Sequence, residues 1–378
     1  MTARLSVCVF GAGSIGLYLG GRLASGGADV CFVGRERIGK ALKTDGLTLT
    51  HFEKAPITLS PEQFTFAASA GEAAEALSHA DVVLVCVKSQ DSADAATELA
   101  GHIRADALVV SFQNGVSNAP VLRDGLSGTL NDSGAVAGAV VPFNVTQTSP
   151  TSWHCGTDGA LTVEDTGHAA QAKLLDIFRA ADQPAELSSD ILAVQWGKLL
   201  VNLNNGLNTL WGGTLKSGLM QRDYRKAMAL QIEEAHGVLA QAGITPAEFG
   251  GVSITKMLKI LRLPNFIYGF IMKRVVKIDA AARSSMLDDL EAGKACEIDY
   301  LQGEVVSLAR KHGVPAPINQ AVMEAVKTAF ANGTSPKLRG TEIFAMIQTA
   351  VISNVLEKAG LGDMEFSIQQ GGLRGPKF

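Results

Sequence analysis

Apolar positions in the first 190 residues come in short dense runs broken by glycine and polar turns, whereas later ones recur every three or four residues. The first run, Val7-Cys8-Val9-Phe10, reads as a buried strand. It leads into Gly11-Ala12-Gly13-Ser14-Ile15-Gly16 and then into residues 17–24 at helical spacing, which predicts strand, glycine turn and helix. Residues 29–33 read as a second strand. Residues 80–87 are almost continuously apolar, as expected of a parallel strand covered on both faces, and the run ends at Lys88. A helix follows over 93–103, then a strand over 107–112 that ends at Gln113-Asn114-Gly115. Strands over 134–141 and 159–163 and a helix over 169–181 complete the alternation, which predicts a doubly wound sheet.

From about residue 190 only the helical period remains. It predicts helices over 191–210, 224–242, 286–292, 297–311, 319–330 and 341–359. Gly243, Gly313 and Gly360 stand where helix-ending glycines belong, and Pro315 and Pro317 stop the helix before them. The expected fold is therefore α/β: an N-terminal Rossmann doubly wound parallel sheet (1–188) followed by an all-helical C-terminal domain (189–362). Residues 363–378 are expected to form a flexible tail. One stretch, 253–278, has six basic residues (Lys256, Lys259, Arg262, Lys273, Arg274, Lys277), and between Ser253 and Ile278 none is acidic before Asp279. Its apolar centre, Phe266 to Ile271, is expected to pack on its own domain rather than on a membrane or partner.

Composition narrows the class. A chain of 378 residues is long for one core. A net charge of −4 gives no general attraction to nucleic acid. Five cysteines without metal-ligand spacing suit a reduced, cytoplasmic protein with no metal site. The first strand starts too early for a signal peptide, and no apolar run is long enough to span a membrane.

The glycine turn has the pattern of a dinucleotide cradle. Gly11 permits the tight turn, Gly13 lets a pyrophosphate approach the backbone, and Gly16 lets the helix pack on the strand. The helix N-terminus, with Ala12, Ser14 and Ile15 around it, offers free N–H groups to phosphates. At the end of the second strand an NAD enzyme places an acidic residue for the ribose hydroxyls. Here Gly34-Arg35 stands instead, and a guanidinium suits the 2′-phosphate of NADP(H). The competing reading is a solvated charged turn, Arg35 to Arg37.

Two polar residues, Lys88 and Asn114, fall at strand ends, where open α/β sheets bind ligands. Lys198, Asn202 and Asn205 are spaced i, i+4 and i+7 on an apolar stretch, so one helix would carry all three on one face. Unpaired and buried they would cost on the order of 1–3 kcal/mol each. A ligand cleft or a structural hydrogen-bond network would satisfy them.

These residues resemble the ketopantoate reductase (2-dehydropantoate 2-reductase) family. The likeness runs through GAGSIG (11–16), CVKSQ (86–90), FQNG (112–115), WGKLLVNLNN (196–205) and SSMLDDLEAGKACEID (284–299). The resemblance implies that Lys88 and Asn114 line the cofactor and substrate site and that Lys198 is the catalytic proton donor. It also implies that Asn202 and Ser285 bind substrate, that Glu297 closes the site near the nicotinamide, and that Asn144 contacts the cofactor. The family's second helix asparagine would fall at Gly206; the neighbouring Asn205 is assigned that role. The implied reaction is NADPH-dependent reduction of 2-dehydropantoate to (R)-pantoate, a step of pantothenate biosynthesis. Alternatives are a reductase of another small 2-oxo acid, an opine-type dehydrogenase, and an NADP(H)-sensing regulator without turnover. A homodimer is compatible with all of them.

Overall fold

The computed structural model describes residues 4–275 and 282–361; the tail expected over 363–378 lies outside them. Among the described residues twelve strands form two sheets: β1 (Ser6–Phe10), β2 (Asp29–Val33), β3 (Leu47–His51), β4 (Ile57–Leu59), β5 (Thr65–Ala67), β6 (Val82–Val85), β7 (Leu108–Ser111), β8 (Val136–Val140), β9 (Val145–Ser149), β10 (Ser152–Cys155), β11 (Leu161–Glu164) and β12 (Ala185–Ser188). The large sheet has the order β12-β11-β8-β7-β6-β1-β2-β5. Its pairs are parallel except β8 with β11. The chain builds outward from β1 to β2 and β5, then crosses back to β6, so the order reverses between β1 and β6. Their carboxyl ends form the switch point at which such sheets bind ligands.

The central strands are buried throughout, and helices cover both faces. That burial explains their unbroken apolar runs.

A second, four-stranded sheet, β4-β3-β10-β9, was not evident in the apolar pattern. It pairs residues about a hundred positions apart, Leu49 with Trp153 for example. Its Leu47 and Leu49 pack against the first helix at Gly21, where a Cβ would lie 2.7 Å from Leu49 Cδ1. Thr50 and His154 join its middle strands by a 2.8 Å side-chain hydrogen bond.

After β12, the described residues are helical. The 20-residue helix Arg222–Gln241 is the spine of this part, with Tyr224, Ala227, Ala229, Ile232, Ala235 and Leu239 fully buried against the helices Pro317–Ala331 and Gly340–Lys358. Two predicted boundaries differ. The helix expected over 191–210 is two, Ile191–Asn202 and Asn204–Trp211, interrupted at Leu203. The helix expected from 297 begins at Gln302, after a 3₁₀ turn over Ile298–Tyr300.

The basic stretch forms two short helices, Ile254–Leu261 and Asn265–Val275. Ile254, Leu258, Leu261 and Tyr268 pack inward, but Phe266 and Phe270 are exposed. Its apolar centre is therefore only partly covered by its own domain, contrary to expectation.

Candidate active site

The cradle follows from three glycines with three different surroundings. Gly11 has φ +106°, and a Cβ there would lie 2.6 Å from the Val87 nitrogen. At Gly16 a Cβ would lie 2.2 Å from the Gly11 carbonyl oxygen, so the helix Ser14–Ser25 can sit on β1 only with glycine there. At Gly13 nothing lies within 4 Å: that face of the backbone is open. Gly13 caps the helix without a side-chain hydrogen bond, leaving the first-turn N–H groups to an anion. Ala12 donates its N–H to the Val33 carbonyl at 2.9 Å, and Ser14 and Ile15 open the helix. These surroundings fit a dinucleotide pyrophosphate.

The loop after β2 crosses this turn closely. A Cβ at Gly34 would lie 2.5 Å from the Ala12 Cβ. Arg35 and Arg37 are exposed and form no salt bridge among the described residues, whereas Glu36 pairs with Lys40 at 2.9 Å.

Lys88 and Asn114 project from the ends of β6 and β7 toward the helical part. Lys88 Nζ donates to Asp289 Oδ2 at 2.6 Å and to Glu297 Oε2. Burial opposes its charge, but the two carboxylates outweigh burial and raise its pKa above the ordinary lysine value. Glu297 also accepts the Ser89 N–H at 3.2 Å, and Lys294 reaches Asp289 Oδ1 at 3.2 Å. Four charges from two halves of the chain thus meet in one place.

Lys198, near the middle of the helix Ile191–Asn202, donates to Asn114 Oδ1 at 2.8 Å. Burial pushes its pKa down to about 8, with the charge of Glu297 acting in the opposite direction. The strand-end backbone is held from below. Asn118 Nδ2 and Ser89 Oγ both donate to the Asn114 carbonyl, and Gln113 accepts from Ser111 Oγ while donating to Ser92 Oγ and the Val87 carbonyl.

Asn114 separates two adjoining depressions. One is lined by Asn114, Gln195, Lys198, Leu199 and Asn202, together with Ala139 and Val140. The other is lined by Asn114, Asn205, Ser285, Met286, Asp289, Glu297 and Tyr300. The break at Leu203 divides the expected one-face stripe: Lys198 and Asn202 face the first depression, and Asn205 faces the second. It also buries Gly206, where a Cβ would lie 2.6 Å from Gln302 Nε2 and 2.9 Å from Val322 Cγ1. No asparagine could stand at 206 without displacing that packing.

Ser285 opens the helix Ser285–Glu291, and the Ser284 backbone N–H before it is fixed by Asn208 Oδ1 at 2.9 Å. Asn144 is not brought to either depression. It is exposed on the loop after β8, its backbone N–H donating to Thr157 Oγ1 at 3.0 Å. Asp289 is the group that sequence reasoning missed. It lies within SSMLDDLEAGKACEID (284–299), but only the helix orientation distinguishes it from Asp288, which pairs outward with Arg283 at 2.8 Å. Among the described residues no cluster of His, Cys, Asp and Glu could hold a metal ion.

A glycine cradle at the switch point, with a desolvated lysine delivered to the strand ends by a helical partner, defines a two-domain oxidoreductase. The chain belongs to the ketopantoate reductase PanE/ApbA family, whose N-terminal model matches residues 7–168 and whose C-terminal model matches residues 190–329. It is 26% identical to a 2-dehydropantoate 2-reductase of Halobacterium salinarum over 87% of this chain and all of that one. A ketopantoate reductase family structure from Ralstonia eutropha superimposes with TM-score 0.71 at 28% identity, covering 86% of this chain and 99% of that one. D-mandelate dehydrogenase, solved with NADH and anilino(oxo)acetate, shares the fold with TM-score 0.70 at 18% identity, covering 86% and 99%.

Proposed function

We propose that the protein uses NADPH to reduce 2-dehydropantoate to (R)-pantoate. The observation that carries this reading is the placement of Lys198: a lysine with its pKa pushed down to about 8, hydrogen-bonded to a strand-end asparagine, in a depression it shares with Asn202. The bound dinucleotide supplies hydride. The oxygen of a ketone being reduced gains negative charge and needs a proton, and Lys198 Nζ can both stabilise that charge and give the proton. Asn114 holds the ammonium in place, so little reorganisation is needed as charge develops. Asn202, Asn205 and Ser285 would bind the substrate's carboxylate and hydroxyl groups.

The cradle residues Gly11 to Gly16 would hold the pyrophosphate, and Arg35 the 2′-phosphate. Lys88 and Asn114 would border the nicotinamide end, with Glu297 closing it. Asn144, exposed on the loop after β8, would contact the cofactor from outside both depressions. The preference for NADPH rests on Arg35 and on Gly34, where an acid is excluded by space.

A reductase of a different 2-oxo acid is favoured by one observation, the wall of Met286, Tyr300 and Leu301 in the depression that Asn205 and Ser285 line. Following nicotinamide absorbance with a panel of 2-oxo acids decides between them. Ketopantoate should give the highest kcat/KM. Another acid turned over tenfold better would transfer the assignment to it, and no turnover with any would remove the reductase reading.

A further inference from the structure

The helices Ile254–Leu261 and Asn265–Val275 carry a surface that the reduction does not use. Their inner side is firmly held. Arg225, fully buried, donates to the carbonyls of Leu219, Leu261 and Leu263 and to Asn265 Oδ1 at 2.8–3.1 Å. Its guanidinium lies 4.0 Å from the centre of the Tyr268 ring, a cation–π contact. The turn between the helices and the start of the second are thereby fixed, and so is what they present outward.

Phe266 is 78% exposed and Phe270 57%, with Ile267 beside them at 36%. Met220, 41% exposed, reaches to 3.4 Å from where a Gly269 Cβ would stand. Four large apolar side chains in one exposed region mark an interaction surface. Lys256 and Lys259 are exposed on the preceding helix and pair with no carboxylate among the described residues, whereas Arg262 pairs with Glu233. Lys273 and Arg274 follow Phe270 by three and four positions and Phe266 by seven and eight, so helical spacing places all four positions on one face. Lys277 lies outside the described residues.

We propose that this face docks the protein on an anionic phospholipid surface, with Phe266 and Phe270 entering the interface and the basic residues meeting lipid phosphates. Exposed aromatic side chains with basic positions along the same two helices are the composition that binds at such an interface. A second copy of the chain fits less well, because a two-fold contact would set this basic face against itself. No helix among the described residues is long and apolar enough to cross a membrane, so the contact is peripheral.

The test uses the full chain and sedimentation with vesicles of phosphatidylcholine, alone or with about one-third phosphatidylserine. The protein should pellet with the anionic vesicles, and its affinity should fall at least tenfold in high salt. The double variant Phe266→Ser/Phe270→Ser and the charge-reversed Lys256→Glu/Lys259→Glu should each lose the binding while keeping reductase activity and melting temperature. If the first variant does not fold, the second, altered only at exposed lysines, still decides. Absence of binding, equal binding to neutral vesicles, or equal binding by folded variants would overturn the proposal. So would a dimer in sedimentation velocity that the variants convert to monomer, since the face would then be a contact between copies.

Discussion

Lys198 Nζ donates to Asn114 Oδ1 over 2.8 Å, tying the helix that begins the second half of the chain to the carboxyl end of β7. The bond holds the ammonium in the depression it shares with Asn202 without neutralising it, since an amide oxygen carries no formal charge. A carboxylate in the same place would hold the proton more tightly.

Replacing Lys198 by alanine should lower kcat about 10²–10⁴-fold, the range for removal of a positioned acid. NADPH affinity, measured by fluorescence titration, should stay nearly constant because the phosphates are bound at the cradle. Asn202→Ala and Ser285→Ala should act chiefly on KM. Near-normal kcat in Lys198→Ala would remove the lysine from the chemistry.

The depressed pKa of Lys198 sets a pH dependence whose sign is fixed. The ammonium is present below about 8 and lost above it, so kcat/KM for reduction should hold steady on the acid side and fall as pH rises through that value. Glu297 raises this pKa through its charge. Glu297→Gln should therefore move the break to lower pH, as read from the full pH–rate profile; a break that stays or rises contradicts the arrangement.

The glycine cradle separates packing from recognition. Gly16→Ala forces a methyl against the Gly11 carbonyl and should destabilise the protein by about 1–3 kcal/mol in thermal or urea unfolding. Gly13→Ala meets no neighbouring atom and should leave stability within about 0.5 kcal/mol, while weakening NADPH binding roughly tenfold by obstructing phosphate approach. Equal loss of stability in both would show that the open face at Gly13 is not a ligand face.

Arg35 is exposed at the start of the helix Glu36–Asp45. Its replacement by alanine should weaken NADPH far more than NADH, since a charge-assisted phosphate contact contributes about 1.5–3 kcal/mol. Equal use of both cofactors by the unmodified protein would refute the phosphate role.

The parallel strands and the cradle were readable in the sequence because their burial makes them locally apolar and their turn needs glycine at fixed spacing. The small sheet was not, because Leu49 and Trp153 meet only through a pairing that spans a hundred residues. In the site, Lys198, Asn202 and Asn205 were found by helical spacing, but that spacing assumed an unbroken helix. Leu203 interrupts it without a proline or glycine to announce the break. Asp289 needed the fold itself, since which of two adjacent acids turns inward depends on how their helix is docked. The exposed Phe266 and Phe270 likewise could not be told from Tyr268 until Arg225 fixed which side of the helix faces in.

The contact between Gly34 and Ala12 limits how this scaffold could be re-engineered. Swapping nicotinamide cofactors by installing an aspartate at the end of the second strand is a natural first design, but here the 2.5 Å gap to the Ala12 Cβ leaves no room for any side chain. An aspartate at 34 would push the turn that cradles the pyrophosphate and so harm both cofactors together. Changes of preference must instead come from positions 35 to 37, where the chain turns outward and the side chains are exposed.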